Sequence, residues 1–155
     1  MQFRASEDIE VPIEFAFQQV SDFERFERTA LRRGADVVRT DTLNAPGVGM
    51  SWQAQFVFRG KSREMQGKLS EYEPPNRLKF DARVGGLEVV MEIDLVALSR
   101  ARTRLLINAS LKPHSIPARL LYQSIKLVKT NMTRRLNTRL ADYAEELEDR
   151  HARMA

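Results

Sequence analysis

Apolar and polar residues alternate along much of the first two-thirds of the chain, with the period of two that is typical of half-buried β-strands. The clearest stretch has five apolar residues at every second position: Leu87, Val89, Met91, Ile93 and Leu95. Glycine, proline and asparagine residues of the kind that form tight turns separate seven such stretches. The pattern predicts one strand near the N-terminus and six further antiparallel strands after residue 35.

A different period appears between residues 115 and 147. Apolar residues recur there at steps of three and four, which places them on one stripe of an α-helix. The stripe consists of Leu121, Ile125, Val128, Met132, Leu136, Leu140, Tyr143 and Leu147. Ser115 can cap this helix and Pro117 can occupy its first turn. The spacing predicts one continuous helix, followed after Glu148 by a frayed tail.

Two short helices are predicted between the first two strands. Pro12 ends the first strand and can open a helix with Phe15 and Val20 on one face. Asp22 can cap a second helix, which Gly34 ends. The order predicts an α+β helix-grip fold, in which a curved antiparallel sheet of about seven strands wraps around the long C-terminal helix. We expect residues 1–155 to form a single domain.

Composition narrows the class of protein. Of the 155 residues, 43% are hydrophobic and 30% are charged, as is usual for a soluble globular protein. The sequence has no cysteine, which excludes disulfides and thiolate metal sites. We find no signal-peptide pattern and no apolar run of membrane-spanning length, so we expect a cytoplasmic protein. No residue spacing indicates a metal site or a cofactor.

The charges are unevenly distributed. The net charge is +4, yet no Asp or Glu occurs between Leu95 and Ala141. Such a basic stretch can attract phosphates or anionic lipids, although it also fits a solvated helix face next to an arginine-rich turn. One hypothesis is therefore a weak contact with an anionic membrane or with RNA. The residues proposed for this contact are Lys126, Lys129, Arg134 and Arg135.

Inward strand positions and the helix stripe together predict an apolar pocket. Its ten candidate lining residues are Trp52, Phe56, Leu69, Phe80, Met91, Ile107, Leu121, Ile125, Val128 and Met132. Binding sites for small molecules are mostly apolar, with a few polar groups that orient the ligand. The alternative interpretation is that these side chains simply fill the core at native density.

The sequence offers little for catalysis, and we predict no catalytic residue. His114 is interpreted as a loop residue and Ser115 as a helix cap, because sequence neighbours rarely point at each other. Most carboxylates of the predicted strands fall on the outward register. Glu7 and Glu71 are the possible exceptions. Burial would raise the pKa of either carboxyl group, which could then act as a general base.

Three short segments carry a resemblance to a known family. Residues 11–17, with the sequence VPIEFAF, are followed by VSDF at residues 20–23, and residues 69–78 have the sequence LSEYEPPNRL. These segments are similar to the strand exit, the first helix and the mid-sheet turn of the START/Bet v 1-like superfamily, also known as SRPBCC or polyketide cyclase/dehydrase. The resemblance covers nearly the whole chain and implies a deep apolar cavity between sheet and helix.

That superfamily includes lipid carriers, hormone receptors, cyclases and ribosome- or quinone-associated proteins, so the fold alone does not choose a function. We predict binding or transport of a hydrophobic small molecule such as a lipid, an isoprenoid or an aromatic polyketide-like compound. A cyclase-like enzyme is one alternative, and it would need an inward polar cluster. The candidates for that cluster are Arg63, Glu7, Glu71 and Ser124. A basic adaptor that contacts a membrane or the ribosome is the other alternative. The sequence specifies no oligomeric state.

Overall fold

The computed structural model describes residues 1–154, which form seven strands and four helices. In chain order these are β1 (Gln2–Ile9), α1 (Ile13–Val20), α2 (Phe23–Arg32), β2 (Asp36–Arg39), β3 (Ser51–Phe58), β4 (Lys61–Glu73), β5 (Arg77–Val84), β6 (Leu87–Ser99), β7 (Arg102–Pro113), α3 (Ile116–Leu127) and α4 (Lys129–Met154). The strands make one antiparallel sheet in the order β1-β7-β6-β5-β4-β3-β2. The predicted helix-grip arrangement is confirmed.

The alternation along β6 gives the sheet its two distinct faces. Leu87 and Leu95 are buried against the helices, so the residues that share their register point inward. Pairing with β5 places Met91 opposite Phe80 and Ile93 opposite Leu78. The intervening acidic residues therefore lie on the outer face of the sheet.

The long C-terminal helix is present, but it is interrupted at Val128, where we expected it to continue. Ser115 caps α3 as predicted, because its side-chain oxygen accepts a hydrogen bond from the backbone N–H of Ala118 at 3.1 Å. Val128 ends α3 with φ −108° and ψ 14°, and α4 begins at the next residue. The break coincides with β-branched residues of low helix propensity, Val128 and Thr130. It also lets the two helices pack on different strands, α3 on β6 and β7, and α4 on β1.

Helix α4 runs along the edge strand β1. The Lys129 ammonium lies 5.9 Å from the centre of the Phe3 ring. Near the other end, a carboxylate oxygen of Glu148 accepts a hydrogen bond from the backbone N–H of Glu10 at 2.8 Å. The prediction of a frayed tail after Glu148 is wrong, because α4 continues to Met154. His151 there packs edge-on against Phe15, with ring centres 4.8 Å apart.

The hydrophobic core is divided into two clusters. The first cluster joins the sheet to α1, α2 and the C-terminal half of α4, and includes Phe23, Trp52, Leu69, Leu95, Leu140 and Leu147. The second cluster joins the other end of the sheet to α3, and consists of Phe3, Leu87, Ala118, Leu121 and Ile125. Leu136 on α4 packs against both clusters. The inner face of the sheet between the two clusters is where a binding site would lie.

Candidate ligand-binding site

The inner face of the sheet is open to solvent in its middle. Met91 is 36% exposed, whereas Leu87 and Leu95, on the same face of the same strand, are each 2% exposed. No register shift occurs between Leu87 and Leu95, so Met91 points inward as they do. An inward side chain in the middle of a central strand keeps such exposure only if the space in front of it is unfilled. Met91 therefore faces a solvent-accessible space on the inner face of the sheet.

Half-buried apolar side chains surround this space. Phe80 on β5 and Ala109 on β7 are the cross-strand partners of Met91, and both are only partly buried. Across from the sheet, Met132 and Leu136 of α4 are also partly buried. The space therefore has mostly hydrocarbon walls, as expected of a site for an apolar molecule.

The ten predicted pocket residues fall into three groups. Four belong to the two core clusters: Trp52, Leu69, Leu121 and Ile125. Three pack against the edges of a cluster: Phe80, Ile107 and Met132. The remaining three are only partly buried, and they belong to neither cluster of the described residues: Phe56, Met91 and Val128. Direct contact of these ten residues with a ligand stays a prediction.

Three aromatic rings form a rigid group beside the space. The Trp52 ring centre lies 5.4 Å from that of Phe23 and 5.9 Å from that of Phe80. Phe23 and Phe80 meet edge to face at 6.1 Å. These distances are typical of favourable aromatic pairs, which hold the rings in fixed orientations. Because Phe80 is also the strand partner of Met91, this aromatic group adjoins the accessible space.

Tyr143 has a polar hydroxyl group. The sequence analysis counted this residue only as a member of the apolar helix stripe. Its ring lies 6.0 Å from that of Phe26 on α2. Its hydroxyl is buried and has no hydrogen-bond partner among residues 1–154. Burial raises the pKa of Tyr143 well above its usual value, so the phenol stays neutral and able to donate. The neighbours of Tyr143 are on α2 and α4, so its use by a ligand acceptor is a prediction.

Glu27 is a second polar group that sequence reasoning missed. Glu27 lies one helical turn after Phe23, so the two residues share a face of α2. This spacing of four residues is the sequence signal that could have revealed the position of Glu27. Burial raises the pKa of the Glu27 carboxyl, while the Arg39 charge and the Trp52 side chain act in the opposite direction. A carboxyl with a raised pKa beside an apolar region can serve as a proton donor or acceptor.

Glu71, the predicted candidate for a buried base, does not point inward. A register shift between Leu69 and Glu71 turns the Glu71 side chain to the outer face of the sheet. There the Arg77 guanidinium donates to Glu71 at 2.5 Å, to Glu92 at 2.6 Å and to Asp94 at 2.8 Å. These three carboxylates raise the pKa of Arg77, and the cluster stabilises the outer surface. The prediction for Glu71 is wrong because the bulge changed its register.

The other members of the proposed inward polar cluster are dispersed. Glu7 is half-buried on the inward register of β1, at the sheet edge. Arg63 is on the inward register of β4, where its Nε donates to the Phe58 carbonyl at 3.3 Å. Ser124 lies half-buried on α3. These three residues belong to different elements, and no hydrogen bond or salt bridge joins them within the described chain.

His114 and Ser115 have separate roles, as the sequence indicated. His114 Nε2 lies 2.7 Å from a Glu88 carboxylate oxygen in an exposed pair on the outer face, and this lowers the pKa of Glu88. The Ser115 hydroxyl is engaged at the start of α3. Among residues 1–154, no group of three or more His, Cys, Asp or Glu is arranged to hold a metal ion.

Two further depressions lie on the outside of the molecule. One follows α4 and is lined by Lys129, Thr130, Thr133, Arg134, Asn137 and Thr138. The other crosses the outer face of strands β3 to β6, where its side chains are mostly polar or charged. Both are open surface grooves that do not include Met91. The four basic residues predicted to meet a membrane or RNA are all exposed: Lys126, Lys129, Arg134 and Arg135.

Comparisons with known proteins support the fold. No protein-family model matches the sequence, and no curated protein matches it. The ZhuI aromatase/cyclase from Streptomyces sp. R1128 is similar in structure, with a TM-score of 0.70, 11% identity, and coverage of 97% of this chain and 94% of that one. A norcoclaurine synthase point mutant from Thalictrum flavum has a TM-score of 0.69 and 14% identity, covering 98% of this chain and 96% of that one.

A START superfamily protein from Mycobacterium smegmatis is also similar, with a TM-score of 0.57 and 11% identity over 86% of this chain and 95% of that one. At these identities the likeness concerns the fold and leaves the activity open. None of the helices among residues 1–154 is long and apolar enough to cross a membrane. The chain is similar in structure to these relatives over most of its length, and it has the START/Bet v 1-like helix-grip fold.

Proposed function

We propose that residues 1–155 act as one domain that binds or carries a hydrophobic small molecule between the sheet and the C-terminal helices. The observation that carries this proposal is the exposure of Met91 on the inner face, between two clusters that are otherwise closed. A protein that only needed a stable core would gain by filling this space, since buried apolar area stabilises the fold. A lipid, an isoprenoid or an aromatic polyketide-like compound would suit it. We propose a cytoplasmic location, in keeping with a sequence without cysteine.

The lining limits the chemistry of the ligand. Phe80, Met91 and Met132 offer hydrocarbon and polarizable sulfur, and methionine adapts readily to different ligand shapes. A charged ligand would have to lose its hydration against these apolar walls, which is costly. The Tyr143 hydroxyl can donate one hydrogen bond. The ligand we propose is therefore neutral and largely apolar, with at least one acceptor oxygen or nitrogen.

The relatives give general support to a small organic ligand. One is described as an aromatase/cyclase, and another is a norcoclaurine synthase in complex with a transition-state analogue. Both descriptions concern those proteins, whose sequences are distant from this one. They are consistent with a fold that encloses organic molecules of moderate size.

Filling the space should weaken uptake without unfolding the protein. We expect Met91→Trp to weaken binding of the neutral fluorescent probe N-phenyl-1-naphthylamine by about tenfold or more, since overpacking an occupied site costs about 1–3 kcal/mol. Val96→Trp is the matched control, because Val96 is exposed on the outer face of the same strand. Equal probe affinity in the two variants and the unchanged protein would refute the proposed site. Native mass spectrometry of freshly purified protein would identify a co-purified ligand directly.

A cyclase-type enzyme is the second candidate, and the half-buried Glu27 carboxyl, on the same face of α2 as Phe23, is the observation that favours it. In that reaction class a carboxyl group moves protons on a reactive substrate held in the apolar space. Carbon-13 NMR of the side-chain carboxyl would give the pKa of Glu27 with and without N-phenyl-1-naphthylamine. A raised pKa that rises further with probe would support proton transfer at this site. An ordinary pKa in both states would remove this candidate and leave simple binding.

A further inference from the structure

Helix α3 has a second apolar face, which nothing in the structure covers between residues 1 and 154. Ile116, Leu120 and Leu127 are 76%, 68% and 83% exposed, respectively. Their spacings of four and seven residues place them on one side of the helix. The buried residues Ala118 and Ile125 lie on the opposite side, against the sheet. A short helix with aliphatic side chains on both faces is unusual for an isolated soluble surface.

Positive charge flanks this exposed apolar face. At 100° per residue, Arg119 and Lys126 fall next to one edge of it, and both are exposed. Lys112 precedes the helix and Lys129 follows it, both exposed. Lys112 is the strand partner of Glu88, but no acidic residue lies in the sequence between Leu95 and Ala141 beside Arg119, Lys126 and Lys129. The surface formed by Ile116, Leu120, Leu127, Arg119 and Lys126, called the α3 surface below, is therefore both aliphatic and basic.

We propose that the α3 surface docks the protein on an anionic lipid bilayer. Helices that lie in a membrane interface combine this pattern of aliphatic side chains with adjacent Lys and Arg. The bilayer supplies hydrocarbon for the three aliphatic residues and negative headgroups for Arg119 and Lys126. The docking surface is on α3, so Arg134 and Arg135, which belong to α4, are not part of it.

Two other occupants fit the α3 surface less well. Proteins bind single-stranded RNA largely by stacking bases on aromatic rings, and the exposed apolar residues here are all aliphatic. A second copy of the chain would bring like charges together, since Arg119 and Lys126 would meet the same residues across a two-fold axis. An anionic bilayer is the partner that matches both the charge and the aliphatic character.

The proposal goes beyond ligand binding and does not depend on it. Leu121 and Ile125, on the buried face of α3, belong to the cluster that bounds the internal space. Docking through the exposed face of the same helix would bring that wall of the site next to the membrane. Vesicle binding can nevertheless be measured without any ligand, so its failure would leave the Met91 experiment unaffected.

Co-sedimentation with phosphatidylcholine vesicles containing 30% phosphatidylserine tests the proposal. We expect the unchanged protein to bind these vesicles, to bind pure phosphatidylcholine much less, and to be released by 0.5 M NaCl. The double variant Leu120→Gln/Leu127→Gln should bind at least about tenfold more weakly, because two aliphatic side chains are lost from the interface. Arg119→Gln/Lys126→Gln should bind more weakly and with less dependence on salt.

Leu31→Gln is the matched control, since Leu31 is an exposed leucine on α2, outside the α3 surface. It should bind as the unchanged protein does, and circular dichroism should show that every variant is folded. Equal binding of the control and the leucine double variant would overturn the proposal. So would a protein that ignores the vesicles but binds an RNA oligonucleotide, or one whose α3 surface is closed by dimerisation in sedimentation analysis.

Discussion

Replacing Met91 with alanine tests whether the inner space is open. Fully burying a methionine side chain is worth about 1.5–3 kcal/mol, but Met91 is already 36% exposed. No new void forms on truncation if the space in front of it exists, so the cavity penalty is absent. We therefore expect Met91→Ala to lower the free energy of unfolding by about 1 kcal/mol. Leu95→Ala, on the same face of the same strand but fully packed, should lower it by about 3 kcal/mol.

Urea denaturation followed by circular dichroism measures both values. With an m-value of about 2 kcal/mol per molar, the midpoint should fall by about 0.5 M for Met91→Ala and by about 1.5 M for Leu95→Ala. Unchanged m-values would show that the two variants unfold as the parent does. If Met91→Ala shifted the midpoint as far as Leu95→Ala, Met91 would be fully packed in solution. The internal space, and the binding site built on it, would then be refuted.

Three further substitutions test the surrounding structure. Gly86→Ala should destabilise the protein by about 1–3 kcal/mol in the same assay, because a Cβ there would lie 2.8 Å from the Ser115 Cβ and displace the α3 cap; an unchanged midpoint would contradict this packing. Asp41 accepts hydrogen bonds from Arg39 at 3.0 Å and from the Ser51 N–H at 2.8 Å, which hold the pKa of its carboxyl well below the usual range. The ionised Asp41 carboxylate therefore stabilises the fold fully at neutral pH, and this stabilisation is lost progressively below about pH 4. The fall in Tm from pH 6 to pH 3 should be smaller in Asp41→Asn than in the unchanged protein. Equal falls would contradict the assignment. Tyr143→Phe removes a buried hydroxyl without a partner and should leave the free energy of unfolding unchanged or up to about 1 kcal/mol higher; a clear loss would show that the hydroxyl is bonded in solution.

The fold could be predicted largely from the sequence because strand alternation and helix periodicity follow directly from backbone geometry. The register of β6 is an example, since its five alternating apolar residues leave only one face that can be buried. The break at Val128 was missed because a continuous apolar stripe crosses it. Only the packing of α3 and α4 on different strands distinguishes a bent helix from a straight one. Likewise, a one-residue bulge reversed Glu71, and its only sign in the sequence is that the inward apolar position moves from Leu69 to Tyr72.

The candidate site was harder to predict. Periodicity placed Phe80, Met91 and Met132 on inner surfaces, and the structure leaves all three only partly buried. Whether the space between them is filled depends on the separation of sheet and helices, which no local pattern encodes. Tyr143 shows the same limit. Its place in the helical stripe was evident from the sequence, but its missing hydrogen-bond partner is a property of the surrounding packing.

The pairing of β1 with β7 has a consequence for the order in which the protein folds. Phe3 pairs with Ala109 and Ile9 with Thr103, and the Thr103 hydroxyl donates to the Val11 carbonyl at 2.8 Å in the buried core. The N-terminal strand thus has no partner until residues of β7 and α4 have left the ribosome. Contacts this distant in sequence slow folding, because a long loop must close before they form. β1 is therefore made well before its partner strand, and it remains unpaired and open to chaperones until β7 has been synthesised.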